Sequence, residues 1–100
     1  MSNAEKIVVV RIEGHVQGVG FRAFVEREAD GLRVEGWVRN RLNGDVEAFF
    51  AGSQRVVDAL IEACRRGPVH ARVVNLMVRP SDTEELTDQP HGGFHLRPTI

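Results

Sequence analysis

The sequence predicts an α+β sandwich of order β-α-β-β-α-β: one antiparallel sheet with two helices on one face, and a short fifth strand at the end. Three observations carry this. Short β-branched apolar runs alternate with segments of helical period. Two strand-like runs, not one, separate the two helical segments. Between those two runs stands Asn43-Gly44, a strong hairpin signal because both turn positions tolerate positive φ.

The elements follow in order. Ile7 to Ile12 reads I-V-V-V-R-I, short, apolar and β-branched, hence a buried strand. Gly14-His15-Val16-Gln17-Gly18-Val19-Gly20 holds three glycines and marks a tight loop. From Phe21 the period changes. Phe21, Phe24, Val25, Ala29 and Leu32 fall at helical spacing, with Arg22, Glu26, Arg27 and Asp30 outside. Gly31 is the expected stop. Val34 to Leu42 is the second strand, with Gly36, Val38 and Asn40 on one face and Trp37, Arg39 and Arg41 on the other. Asp45 to Ala51 returns, placing Val46, Ala48 and Phe50 on one face. Gly52-Ser53 ends it, and Ser53 suits a helix N-cap. Val57, Leu60, Ile61 and Cys64 then form an apolar stripe, stopped by Gly67-Pro68. Val69 to Val78 is the fourth strand, closed by Pro80. Residues 81–93 are polar, include Glu84-Glu85, and read as a solvated loop before a short strand from Phe94 to Arg97. This is the split βαβ, ferredoxin-like order, which hosts many functions and fixes none.

Composition narrows the classes. One hundred residues are enough for one domain with its own core, so 1–100 is expected to form one domain, with residues 1–5 as a flexible N-terminus. Apolar residues at 42% and charged residues at 27% exclude a disordered chain. No apolar run approaches the roughly 18 residues of a membrane span. A formal net charge of −1 gives no reason for non-specific binding to nucleic acid or an anionic membrane. The lone cysteine, Cys64, lies on the apolar stripe and reads as a core residue; with no internal disulfide to form, a cytoplasmic compartment fits. A monomer is expected. Lys6 is the only lysine among 13 basic residues, and the rest are arginines. Arginine suits bidentate recognition of phosphate, although a codon bias accounts for most of them.

The glycine loop carries the chemistry. It delivers backbone N–H groups to a helix N-terminus, where unpaired donors and the positive end of the dipole favour an anion. It is not a Walker loop, since no Gly-Lys-Ser/Thr follows, and it lacks G-x-G-x-x-G spacing. By itself such a loop is more often a plain turn. Arg22 changes the balance. A cation in the first helical turn opposes the dipole at about 0.3–1 kcal/mol. An anion between Arg22 and the loop amides would explain it, and phosphate matches a guanidinium fork best. The alternative is a solvated arginine. Asn40, taken alone, is a polar residue at a strand end beside a turn.

Ile12 to Arg22, reading I-E-G-H-V-Q-G-V-G-F-R, resembles the first signature of the acylphosphatases. Gly36-Trp37-Val38-Arg39-Asn40, with Gly44-Asp45-Val46 and Gly52, resembles the second. The likeness runs from Glu5 to about Pro80; the tail is looser and lacks a tyrosine near its end. It implies hydrolysis of the carboxyl-phosphate anhydride of a small acyl phosphate, with no metal or other cofactor and no covalent intermediate. It implies that Arg22 and the backbone amides of Val16, Gln17, Gly18, Val19, Gly20 and Phe21 hold the phosphoryl group. It implies that Asn40 holds the attacking water. Inorganic phosphate or sulfate should occupy the same place.

Other candidates are weaker. His91 and His95 stand four apart in loop and strand, which separates them by roughly 13 Å, too far to share a metal. His15 reads as an exposed loop residue and Trp37 as sheet packing. Two other classes remain open. One is a binding module of a larger carbamoyl-phosphate-processing assembly, as in hydrogenase-maturation carbamoyltransferases; the length and the absence of zinc-finger-like cysteines speak against it. The other is an RNA-binding domain of similar order, which would need stacking aromatics on the central strands. The first strand has none, and the third has Phe49 and Phe50 without the basic Gly-aromatic pattern.

Overall fold

Alternation along the first strand decides how the layers form. Val8, Val10 and Ile12 join the main core under the helices, while Ile7 and Val9 face the other way. The computed structural model describes residues 5–81 and 92–100. Most of the expected flexible N-terminus and of the 81–93 loop, including Glu84, Glu85 and His91, lie outside the described residues.

The described elements are β1 (Glu5–His15), α1 (Phe21–Leu32), β2 (Glu35–Asn40), β3 (Val46–Ser53), α2 (Gln54–Arg66), β4 (Arg72–Pro80) and β5 (Phe94–Leu96). They form a five-stranded sheet in the order β4-β1-β3-β2-β5. Phe21, Val25 and Ala29 of α1 and Val57, Leu60, Ile61 and Cys64 of α2 pack on Val38, Val46, Ala48 and Phe50. Full burial of each such aliphatic or aromatic side chain is worth roughly 1.5–3 kcal/mol. No helix residue joins the second cluster, Val9, Trp37, Phe49 and Ala51, so both helices lie on one face. The α+β ferredoxin-like order holds. The sheet is mixed rather than wholly antiparallel, because β5 runs parallel to β2. A long connection from β4 can enter from either end, and the sequence does not fix which.

On the open face Glu47 is nearly buried and accepts from Arg39 Nε at 2.9 Å and Arg41 at 3.3 Å, with Arg11 at 3.9 Å. Trp37 stacks on Phe49 and lies beneath the guanidinium groups of Arg39 and Arg97. It is packing, as expected.

Several boundaries differ from expectation for identifiable reasons. β1 runs on through Gly14 to His15, with a register shift at Glu13/Gly14. Gly14 serves strand approach rather than a turn: at φ 133°, a Cβ there would stand 2.1 Å from the Arg72 carbonyl oxygen. α1 passes Gly31 and buries part of Leu32 before Arg33 caps it in the left-handed region at φ 60°. β2 ends at Asn40, two residues early. Arg41 N–H donates to Asp45 O (2.8 Å), Gly44 N–H to Arg41 O (3.1 Å), and Asp45 N–H to the Asn43 side chain (3.0 Å). This wider Asx-type turn replaces a two-residue hairpin. Ser53 precedes α2 but makes no side-chain cap; it belongs to β3. β4 begins at Arg72 and includes Pro80, tolerable because β4 is an edge strand.

Cys64 is buried in the main core. Burial, aided by the negative charge of Glu28, pushes its thiol up to about 12. The folded protein therefore keeps a proton there that the unfolded chain releases near pH 9. Stability contributed by this group is whole below pH 9 and is lost as pH rises toward 12. Native protein at pH 8 should resist iodoacetamide and react fully in denaturant; rapid labelling of the native state would contradict a buried thiol.

Candidate active site

Two buried anchors shape the loop between β1 and α1. Val16 and Phe21 are almost completely buried in the main core. The chain between them must arch outward, and it does so through Gly18 at φ 76° and Gly20 at φ 78°. A Cβ would meet nothing within 4 Å at either glycine, so backbone conformation rather than crowding requires them. Gly20 sits at the N-cap of α1, with no side-chain cap and no acidic residue in the first turn. The first helical bond is Phe24 N–H to Gly20 O, at 3.0 Å. Among the described residues, the backbone N–H groups from Gly18 to Ala23 have no hydrogen-bond partner. A helix N-terminus built this way has anion-binding capacity.

Arg22 is half-buried beside these donors. Its guanidinium makes one long contact, 3.5 Å to the Arg97 carbonyl oxygen, and among the described residues no carboxylate lies within 4 Å of it. Arg11, Arg39 and Arg41 are all matched with Asp45 or Glu47. Arg22 thus differs from these three in having no carboxylate partner among the described residues. Asn40 ends β2, half-buried, and its side-chain amide has no hydrogen-bond partner among the described residues.

These groups meet in one cleft of about 240 Å³. Val16, Gln17, Gly18 and Gly20 line it from the loop, Phe21, Arg22 and Ala23 from the helix, and Asn40 and Leu96 from the sheet. Of the expected site residues Val19 is the one outside this lining: its side chain is half-buried against the main core, while its backbone N–H is among the unpaired donors of the loop. Ala23 and Leu96 were not expected. Ala23 follows from continuing the exposed helix start one residue further. Leu96 depends on the parallel β2–β5 pairing, for which the sequence holds no signal. The Gln17 side chain turns away to the β2–β3 turn, donating from Nε2 to Arg41 O (2.7 Å) and Asp45 O (2.9 Å).

A larger recess of about 540 Å³ lies between β1, β4 and the β2–β3 turn, lined by Arg11, Asp45, Glu47 and Arg79. Arg11 there is neutralised by Asp45 at 3.0 Å, and the recess does not include the start of a helix. The smaller cleft is the one that takes in the start of α1, Arg22 and Asn40. Among the described residues, no group of three or more His, Cys, Asp or Glu is placed to hold a metal ion. Likewise no helix among them is long and apolar enough to cross a membrane.

The acylphosphatase family model matches residues 8–95. The chain belongs to the acylphosphatase family. It is 49% identical over 92 residues to an acylphosphatase of Rhodopseudomonas palustris (strain BisB18), covering 91% of this chain and 93% of that one. The solved acylphosphatase of Coxiella burnetii superposes with a TM-score of 0.83 at 35% identity, covering 95% and 94% of the two chains. HypF of T. kodakarensis shares the architecture at TM-score 0.74 and 26% identity, over 97% of this chain but 12% of that one. The span matched to this enzyme family takes in both the loop before α1 and the end of β2.

Proposed function

We propose that the chain hydrolyses acyl phosphates to a carboxylate and phosphate, with Arg22 and the loop amides as phosphate cradle and Asn40 as water holder. The observation that supports it most is the convergence, in one cleft, of helix N-terminal donors unpaired among the described residues, an arginine with no carboxylate partner among them, and an amide at a strand end. Substrate, phosphoryl group and water are then positioned by groups fixed in advance.

The chemistry asks for little else. Water oxygen attacks phosphorus, and the P–O bond to the acyl group breaks with its electron pair. The leaving carboxylate has a parent acid pKa near 4 and departs without a general acid. In a loose transition state, charge spreads over the equatorial oxygens, where the amides and Arg22 follow it. Asn40 is no base at neutral pH, so the water's proton passes to a phosphoryl oxygen. No covalent intermediate and no metal are needed. The chain is proposed to act as one domain spanning 1–100, as a monomer, in the cytoplasm, on small acyl phosphates rather than on nucleic acid or membranes.

Turnover of benzoyl phosphate by the isolated chain tests this, with activity retained after exhaustive chelation. The likeness to HypF, of which this architecture spans 12%, supports a second reading, a binding module within a larger assembly. A module of that kind would bind phosphate yet leave benzoyl phosphate intact. A further expected outcome is competitive inhibition by inorganic phosphate, and by sulfate, since the cradle recognises the phosphoryl end alone. Inhibition that does not diminish with substrate concentration would move the phosphate site elsewhere.

A further inference from the structure

We propose that Gln17 is a positioning residue: its side-chain amide is a strut that sets Asn40 at the correct distance from the phosphate cradle. This rests on the roles proposed above for the cradle and for Asn40.

Gln17 is part of the glycine loop, yet its side chain works outside the loop. Both hydrogens of Nε2 are used, one on Arg41 O at 2.7 Å and one on Asp45 O at 2.9 Å. Both partners are carbonyl oxygens, so the nitrogen of the amide must face them. The same two oxygens already close the turn, accepting from Gly44 N–H at 3.1 Å and from Arg41 N–H at 2.8 Å. Gln17 therefore takes the second lone pair of each carbonyl and binds the loop to the turn where the turn itself is knotted.

The place of that knot matters. Asn40 is the residue before Arg41 and is paired with Val46 at the end of the β2–β3 ladder. Its upstream side is held by the sheet. Its downstream side is held by the Arg41–Asp45 turn, and Gln17 is the described side chain that ties this turn to the cradle. Arg22 and the cradle amides stand on different supports, namely the buried side chains of Val16 and Phe21 and the start of α1. Loss of the strut should let the turn and Asn40 drift relative to phosphorus and leave the cradle whole. A misplacement of about 1 Å is enough to cost on the order of 10²-fold in rate.

The test uses Gln17→Met, which keeps length and removes the donors, and Gln17→Glu, which sets a carboxylate against two carbonyl oxygens. Steady-state benzoyl phosphate hydrolysis and phosphate inhibition are measured in wild type, in both variants, in Asn40→Ala, and in Gln17→Met combined with Asn40→Ala. Wild-type turnover and a kcat loss in Asn40→Ala establish the underlying roles first. Gln17→Met should then lower kcat roughly 10-fold or more with phosphate affinity within about twofold, and Gln17→Glu should lower it at least as far. In the Asn40→Ala background, Gln17→Met should change kcat by less than about twofold, because the strut has nothing left to position. Full additivity of the two losses would overturn the proposal. So would a loss of phosphate affinity matching the loss of kcat, which would make Gln17 a direct ligand. A variant that melts earlier yet keeps wild-type kcat below its transition would reduce Gln17 to a structural tie and equally overturn it.

Discussion

Arg22→Ala is expected to lower kcat/KM for benzoyl phosphate on the order of 10³-fold while leaving the fold intact or slightly more stable. The two halves of that result have separate causes. Arg22 is the described cation at the cleft with no carboxylate partner, so its removal strips charge from the place where phosphoryl charge develops. Both substrate binding and the transition state lose, so KM should rise and kcat should fall. Phosphate inhibition should weaken in parallel. Stability should not suffer, because among the described residues Arg22 makes only the 3.5 Å contact to Arg97 O. A cation in the first turn of α1 opposes the dipole, and deleting it relieves about 0.3–1 kcal/mol. Arg22→Lys should restore little, since a point charge cannot match two phosphoryl oxygens at once. A destabilised Arg22→Ala with unchanged phosphate affinity would make Arg22 a structural residue. Thermal unfolding and phosphate inhibition, read on the same preparation, decide between the two.

The layers of the fold were legible because burial leaves a period in the sequence. Val57, Leu60, Ile61 and Cys64 had to face the sheet, and alternation put Val46, Ala48 and Phe50 opposite Phe49 and Ala51. What escaped was set by backbone contacts without a side-chain pattern. Gly14 looks like part of a turn by composition, yet it is a strand residue whose missing Cβ admits the Arg72 carbonyl. Gly31 looks like a helix stop, yet Leu32 gains enough contact to carry the helix on to Arg33. The parallel β5 follows a connection of thirteen residues, 81–93, in which no local sequence signal dictates the direction of the next strand.

The candidate site divides the same way. Gly18, Gly20 and Arg22 could be connected from sequence because each stands out locally: two of three glycines in a seven-residue strand-to-helix loop, and a cation at the wrong end of a helix. Asn40 carried no such violation and was singled out through the family resemblance. Val19 was grouped with the cradle for its backbone amide; the packing of its side chain against the core is a separate feature of the fold. Gln17 was grouped with it as well, and only coordinates could show its amide reaching 24 residues along the chain to Arg41.

Asn40→Ala should separate catalysis from binding in a way Arg22→Ala cannot. Asn40 lines the cleft from the sheet side, across from the loop and helix that supply the anion site. Its side chain holds nothing else together among the described residues, so truncation should leave the unfolding temperature near wild type. The cradle and Arg22 are untouched, and phosphate inhibition should stay within about twofold. What disappears is the amide that fixes the attacking water, an interaction needed on the way to the transition state. The expected loss is therefore in kcat, on the order of 10²-fold, with little change in KM. Asn40→Asp sharpens the contrast. It preserves size but adds a negative charge beside a site that recognises phosphate, so it should lose phosphate affinity as well as rate. If Asn40→Ala kept near-normal kcat, the water would be held by another group. If instead it lost phosphate binding as severely as Arg22→Ala, Asn40 would belong to the cradle, and the division of labour between loop and strand end would be wrong.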